Sequence, residues 1–451
     1  MKPILIIQIQ RMGDVVLTYP LFLWLQKVYP HHPIYFFTED FIGKPIQKFF
    51  PGARFFSWSE LSLVFKTKFL FSLNLSHRRE SAWLNKQILA EEKYGYILGD
   101  DEKSLYIKGK WQLYRASLVR NNKFNGYHWA ELNALDVVPF SIISKWSWNK
   151  SEIQDPKQIG LFLGASEKTK FPEVIFWEKL IKLFLYKGIK PFLLGGPGES
   201  DLAKSLIKKY GLPSAMDLTG KFSLVEFAKI ISFFDLVISP DTGPMHIATF
   251  RSKPVLNLSM GNVSPWDTGP YLPGNMVLRR RTSCFPCWEC DKELVCKKDF
   301  SPQAVYNCIT QQFVEVKDYF VYIVNRRYGL FCLKNKNRSD DDYIREFWLL
   351  VFGYFLGLWS DDELITNILN KVDIACPEFR LSLLAQSRYC LSVIKKIFKE
   401  KSWDPDFWLN FNVFFRPMAG YFEREWPNNN FSLSSLKQSV FWLEQLIFWL
   451  E

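Results

Sequence analysis

Between residues 159 and 258 the chain alternates short, mostly apolar runs with amphipathic stretches of helical period, and few architectures absorb that pattern. The runs at 159–163, 191–194, 236–239 and 255–258 predict strands, and the stretches at about 175–186, 200–209, 224–233 and from Pro244 onward predict helices. A strand without polar alternation is buried on both faces, so this segment reads as a doubly wound α/β domain. A weaker version of the same alternation opens the chain: a buried strand at 3–9, the turn "QRMGD", a helix at about 15–28, and further runs at 34–37, 69–75 and 96–98. The polar stretch "KSEIQDPKQ" at 150–158 separates the two. The expected organisation is therefore an α/β domain at 1–150, a second at 151–317 that includes a cysteine-rich segment at 284–308, and a remainder at 318–451. That remainder, without strand alternation, reads as an all-α extension rich in Phe and Trp.

Length agrees, since 451 residues exceed what one hydrophobic core serves well. Hydrophobic residues at 48% against 23% charged exclude a disordered chain. The aromatic share of 17% is high, and the extension's aromatics are read first as a helical core, second as a face for a membrane or partner chain. A net charge of +11 favours an anionic partner, but the basic residues are dispersed and no nucleic-acid partner is expected. The first apolar run is short and is followed at once by Arg11 and Asp14, so no secretory signal is read and a cytoplasmic location is expected. The longest uncharged apolar run, 347–359, falls short of the roughly 20 residues a spanning helix requires.

Ligands of open α/β sheets bind beyond the carboxyl ends of the strands, and the polar motifs fall there. In "SPDTGPMHIAT" a strand gives way to a helix with Thr242 or Gly243 at its cap and Pro244 in its first turn. Its free N–H groups suit a diphosphate, and His246 adds a donor, although such a loop is equally a capped turn. In "RMGDVVLT", Gly13 gives a tight turn and Asp14 either caps the next helix or serves as a general base. There is no GxxxxGK[ST] phosphate loop and no GxGxxG.

Taken together and in order, "ILIIQIQRMGDVVLTYPLFLWLQKVYP", "GAS" with "FPEVIFWEKL", "FLLGGPGES", "SPDTGPMHIA" and "SPWDTGPY" resemble the heptosyltransferases, family 9 of the glycosyltransferases. The resemblance covers about residues 1–316 and implies a GT-B fold of two Rossmann-like domains with inverting transfer of heptose from ADP-heptose, without a catalytic cofactor. It implies that Asp14 is the catalytic base and that Asp241, Thr242, Gly243, Pro244 and His246 form the donor-diphosphate loop. Gly164 of "GAS" joins the donor side, and Glu199 falls near the donor ribose. Where the family has a lysine before Trp-Pro, this chain has "KTKFP", so Lys170, or else Lys168, supplies the phosphate cation.

Cys284, Cys287, Cys290, Cys296 and Cys308 cluster within the cysteine-rich segment. A C-x2-C pair with two later thiols suits a structural tetrahedral zinc or iron site on Cys284, Cys287, Cys296 and Cys308, with Cys290 as a substitute; the alternative is buried free thiols. A branch of the resembling family that modifies autotransporter proteins holds iron through four cysteines. The expected acceptor is therefore a lipopolysaccharide core hydroxyl, with a protein acceptor second and a non-catalytic nucleotide-sugar-binding scaffold third. A peripheral contact with the inner membrane is expected for the core-acceptor reading. The run Arg279-Arg280-Arg281 reads as a solvated turn before it reads as an acceptor or membrane contact.

Overall fold

The structure, a computed structural model, describes residues 1–290, 292–298, 300–311, 318–335, 338–400 and 407–451. Among these residues thirteen strands form: β1 (Ile4–Ile7), β2 (Ile34–Phe37), β3 (Arg54–Phe56), β4 (Lys68–Asn74), β5 (Leu89–Leu98), β6 (Leu105–Lys108), β7 (Gln158–Phe162), β8 (Lys190–Leu194), β9 (Leu236–Ser239), β10 (Val255–Ser259), β11 (Met276–Arg280), β12 (Tyr319–Arg327) and β13 (Leu330–Lys334). The chain divides into two compact units, one made of residues 1–64, 128–131 and 141–336, the other of 65–127, 132–140 and 337–451.

The first unit holds two parallel arrangements. In one, β1 pairs with β2 and β2 with β3, and all four residues of β1 are buried. In the other, a seven-stranded sheet runs β13-β12-β11-β10-β9-β7-β8. Strands β8, β7, β9, β10 and β11 are parallel, in keeping with their largely apolar, mostly buried residues. The register places Leu161 opposite Leu193 and Ile238, and these side chains pack with Trp177, Leu180 and Ile181 of the Val174–Tyr186 helix. A fully buried Leu or Ile contributes about 1.5–3 kcal/mol, so a slip of one residue would expose several at once and the register is fixed.

Three expectations change here. Residues 319–334 are not helical: β12 and β13 form a hairpin that closes the sheet antiparallel to β11, turning at Tyr328 and Gly329 with φ of 54° and 77°. Two consecutive left-handed residues match the twist of the flanking strands. The hairpin looks featureless in sequence because it is an edge element, with exposed and half-buried positions interspersed along β12. The helical extension therefore begins at Asp340. Likewise Arg279 is not in a solvated turn but is a buried residue of β11. At the start of the chain, the helix expected over 15–28 is two, Met12–Val16 and Tyr19–Val28, because Pro20 suits a first turn and not an interior.

In the second unit, β4 and β5 run parallel around the Arg79–Gln87 helix and β6 returns antiparallel to β5. The Lys110–Ser117 helix follows, and the extension then supplies, among the described residues, the α-helices Asp340–Phe355, Glu363–Ala375, Glu378–Glu400, Arg416–Asn428 and Leu433–Leu450. Their aromatics are largely core: Phe347, Trp348, Phe352, Trp426 and Trp442 are buried, Phe355 stacks on Trp442 with ring centroids 4.7 Å apart, and the Trp348 indole N–H donates to the Phe414 carbonyl. No helix among the described residues is long and apolar enough to cross a membrane.

Candidate functional site

Two turns at strand ends meet within the first unit. The Gly243–Phe250 helix starts after β9 with Thr242 as its cap, whose hydroxyl accepts the Met245 N–H at 3.4 Å and lies 3.2 Å from the Ser239 hydroxyl. Pro244 occupies the first turn, where its missing N–H costs nothing. The Met12–Val16 helix starts after β1, and the Asp14 carboxylate accepts the Arg11 backbone N–H at 3.2 Å. A Cβ built on Gly13 would stand 3.5 Å from the Gly243 nitrogen and 3.9 Å from His246 Cδ2, so two helix starts approach with only glycine between them. This brings Asp14 and the 241–246 loop, distant in sequence, to one place.

Charge collects around that approach. Asp241 is largely buried, and burial pushes its carboxyl up to about 6; Lys170, the Thr268 hydroxyl at 3.1 Å and Arg11 oppose the shift, while Asp14 adds to it. His246 lies with Nε2 3.7 Å from Asp241 Oδ1, and burial lowers its pKa to about 4, so its ring is neutral at pH 7. Its Nδ1 is buried without a hydrogen-bond partner. Lys170, only 12% exposed, ends the short Lys168–Lys170 turn with its ammonium 3.2 Å from Glu167, and Glu167 also receives Arg11 at 2.6 Å. Lys168 faces a different duty: its carbonyl accepts the Lys297 ammonium at 2.9 Å. Of the two lysines, Lys170 is the one whose charge acts on Asp241.

Glu199 folds back within "GGPGES", its Oε2 accepting the Gly196 N–H at 2.8 Å. The carboxylate lies over Gly164, where a Cβ would come within 2.2 Å of Oε1. Gly164 and Glu199 thus form one contact, and only glycine fits beneath the acid.

The cysteines separate. Burial first, then neighbouring Cys284, Cys296 and Cys290, raise the Cys287 pKa, so these four thiols share one environment around Arg279. Cys308, buried in the same apolar core as Cys296, lies on the Pro302–Ile309 helix, and burial alone pushes its thiol up to about 12. Among the described residues no three His, Cys, Asp or Glu side chains stand close enough to hold a metal ion.

Several residues of this region carry no local sequence signal. Arg279 donates to the Ser259 hydroxyl at 2.9 Å and to the Val263 and Gly261 carbonyls at 2.8 and 3.0 Å, and its guanidinium covers the Phe285 ring at 3.8 Å. Thr268 holds Asp241, and its only foreshadowing is that "DTGP" at 267–270 repeats "DTGP" at 241–244. Behind it, His128 accepts the Ala130 N–H on Nδ1 at 3.2 Å, which leaves Nε2–H to donate to the Gly269 carbonyl at 3.0 Å. Burial lowers the His128 pKa to about 3, in keeping with that neutral ring.

The family model of glycosyltransferase family 9 (heptosyltransferase) matches residues 128–297, which include the donor loop and most of the cysteine segment. The lipopolysaccharide core heptosyltransferase OpsX of Haemophilus influenzae is 44% identical over 55 residues, a stretch that spans 12% of this chain and 16% of that protein. Lipooligosaccharide heptosyltransferase 2 of Campylobacter jejuni is 25% identical over 312 residues, 65% of this chain and 93% of that protein. In fold, the chain is similar to the ADP-heptose lipopolysaccharide heptosyltransferase II of E. coli, with a TM-score of 0.51 and 17% identity over 69% of this chain and 99% of that one. That likeness gives the fold as GT-B, two Rossmann-like α/β domains, here followed by a helical extension. A domain match and a relative aligned over nearly its whole length thus agree that the chain is similar to glycosyltransferase family 9, the heptosyltransferases.

Proposed function

We propose that this glycosyltransferase moves a heptose from ADP-heptose to a hydroxyl of a lipopolysaccharide core acceptor, with inversion at the transferred carbon. The observation that carries the reading is the approach of the Gly13–Asp14 turn to the start of the Gly243–Phe250 helix, beside buried Asp241 and Lys170. In this reading the donor diphosphate lies at that helix start, where N–H groups of the first turn, neutral His246 and the Lys170 ammonium meet the charge that gathers as the sugar leaves. Glu199 takes the donor ribose above Gly164, and Asp14 removes the proton from the acceptor hydroxyl. No metal takes part in the transfer.

The test is a transfer assay with ADP-heptose and delipidated core acceptors, comparing wild type with Asp14→Asn. General-base catalysis contributes about 10²–10⁴-fold, so turnover falls by that factor while ADP affinity holds. Full activity in the variant refutes the assignment of Asp14. A purified autotransporter passenger as acceptor separates the protein-modifying reading, and tight ADP-heptose binding without ADP release under any acceptor supports the scaffold.

Membrane contact at the cytoplasmic face of the inner membrane belongs to the same proposal. Leu381, Phe398, Phe441 and Phe448 are exposed on the Glu378–Glu400 and Leu433–Leu450 helices, which also carry exposed Arg388, Lys396, Lys399 and Lys437. Apolar side chains among cations suit an anionic bilayer surface. Co-flotation with phosphatidylglycerol vesicles, lost in Phe441→Ser/Phe448→Ser, tests it. Among the described residues no three ligands converge on a zinc or iron centre, and Cys308 is not one of the thiols that act on Cys287. A structural metal here would fall to Cys284, Cys287, Cys290 and Cys296, the thiols that share one environment.

A further inference from the structure

We propose that Glu167 is a built-in competitor for the donor's diphosphate, holding the cations that a diphosphate at the Gly243–Phe250 helix start would use. The proposal rests on the donor reading above and concerns how that site discriminates among anions. A single oxygen of Glu167, Oε1, lies 2.6 Å from an Arg11 guanidinium nitrogen and 3.2 Å from the Lys170 ammonium. One carboxylate oxygen therefore bridges a residue of the first turn, Arg11, and the lysine that acts on Asp241. Two cations converging on one anionic oxygen is also how a phosphate oxygen is held, and guanidinium and ammonium groups both bind phosphate well. Glu167 stays charged at neutral pH: burial would raise its pKa, but bonds from Arg11 and Lys170 outweigh that and hold it below the usual range.

The two sides of this bridge are unequally fixed. Lys170 is 12% exposed, so its ammonium has little water to fall back on and exchanges one anion only for another. Glu167 is 33% exposed and Arg11 61%, so both side chains have room to move, and pairs of this exposure are cheap to open. A diphosphate brings enough charge to displace the carboxylate and recruit both cations, whereas a ligand without phosphate gains nothing from doing so. Glu167 then raises the charge threshold for entry and lowers affinity for the correct donor. Were Glu167 instead a support that aims Lys170, removing its charge would weaken phosphate binding, so the two roles predict opposite signs.

Isothermal titration calorimetry of the full chain with ADP and with adenosine decides between them. Wild type is compared with Glu167→Gln, which keeps size and hydrogen bonding and removes the charge. The expected result is ADP binding tighter by about threefold to tenfold, the range that freeing one or two part-exposed ion pairs supports, with adenosine affinity unchanged. The gain in ADP affinity shrinks as salt is raised. Unchanged adenosine binding also shows that the variant is folded. Equal or weaker ADP binding by Glu167→Gln, beside normal wild-type binding, overturns the competitor and leaves the donor reading standing. A parallel change for adenosine overturns it too, because the effect would not lie at the phosphates. Wild type that binds neither ligand overturns the donor reading, and this inference with it.

Discussion

Gly164 and Glu199 provide the sharpest steric test of the donor side. A Cβ on Gly164 would lie 2.2 Å from Glu199 Oε1, 2.6 Å from Cδ and 2.9 Å from Cγ. Rotating the carboxylate about the Cγ–Cδ bond clears only the first contact, since Cδ and Cγ stay in place, so Gly164→Ala displaces the whole side chain and breaks its bond to the Gly196 N–H, 2.8 Å long. Gly164 is not left-handed, so alanine brings no backbone strain. Overpacking costs about 1–3 kcal/mol and the loss of a part-buried carboxylate bond about 1–2, giving roughly 2–5 kcal/mol for Gly164→Ala. Glu199→Ala loses only the bond, about 1–2 kcal/mol, and it removes the obstruction. In the double variant the alanine at 164 has nothing to strike, so the pair costs no more than Glu199→Ala, a coupling of about 2–5 kcal/mol, the whole cost of Gly164→Ala alone. The assay is a double-mutant cycle in denaturant followed by tryptophan fluorescence, with ADP titrations on the same four proteins. Both single variants should bind ADP more weakly if Glu199 meets the ribose. Additive stability losses, or a Gly164→Ala protein as stable as wild type, would refute the packing argument.

Asp241 has a folded pKa of about 6 against an ordinary 3.8, raised chiefly by burial, so the folded state binds the proton more tightly. Its contribution to stability is therefore full below pH 4, declines as pH rises toward 6 and is flat above, and amounts to at most about 3 kcal/mol. Asp241→Asn lacks this loss, so its melting temperature should gain on wild type between pH 4 and 6 and then hold a constant lead; a lead independent of pH would contradict the burial. Arg279→Met strands the Gly261 and Val263 carbonyls and should lower stability by about 2–4 kcal/mol in denaturant melts, where a solvated arginine would give almost nothing. Any zinc or iron found by elemental analysis of purified protein should be lost in Cys284→Ser or Cys287→Ser and retained in Cys308→Ala; loss in the last variant would restore Cys308 as a ligand. ADP affinity should show no histidine titration between pH 6 and 8, because His246 is already neutral there, with a pKa of about 4.

What sequence could and could not disclose follows from where each residue's reason for being there resides. The central strands β7, β9 and β10 were legible because burial on both faces keeps them mostly apolar, with few polar residues such as the buried Asn257, and the turns after β1 and β9 because a helix start at a strand end restricts residue type locally. β11 was hidden by its own chemistry: three apolar residues run straight into Arg279 and Arg280, and the charge that suggests solvent is met by carbonyls near Gly261, whose φ of 69° is a fact about a different loop. The Arg11–Glu167–Lys170 bridge and the Thr268–Asp241 bond were equally silent, since neither residue of either long-range pair lies in a pattern that names its partner. Local motifs thus located the candidate anion site, while its electrostatics came from residues 11, 167 and 268, which only the fold assembles. The same division bears on the missing family lysine. The resemblance sets that lysine's slot at Thr169, and on the proposed donor reading Lys170 replaces it ahead of Lys168, not by spacing but because its ammonium acts on Asp241 and pairs with Glu167. A substitution that moved the charge back to position 169, Thr169→Lys with Lys170→Thr, would separate the lysine from Glu167, and if Glu167 competes as proposed, its removal in that background should no longer tighten ADP binding.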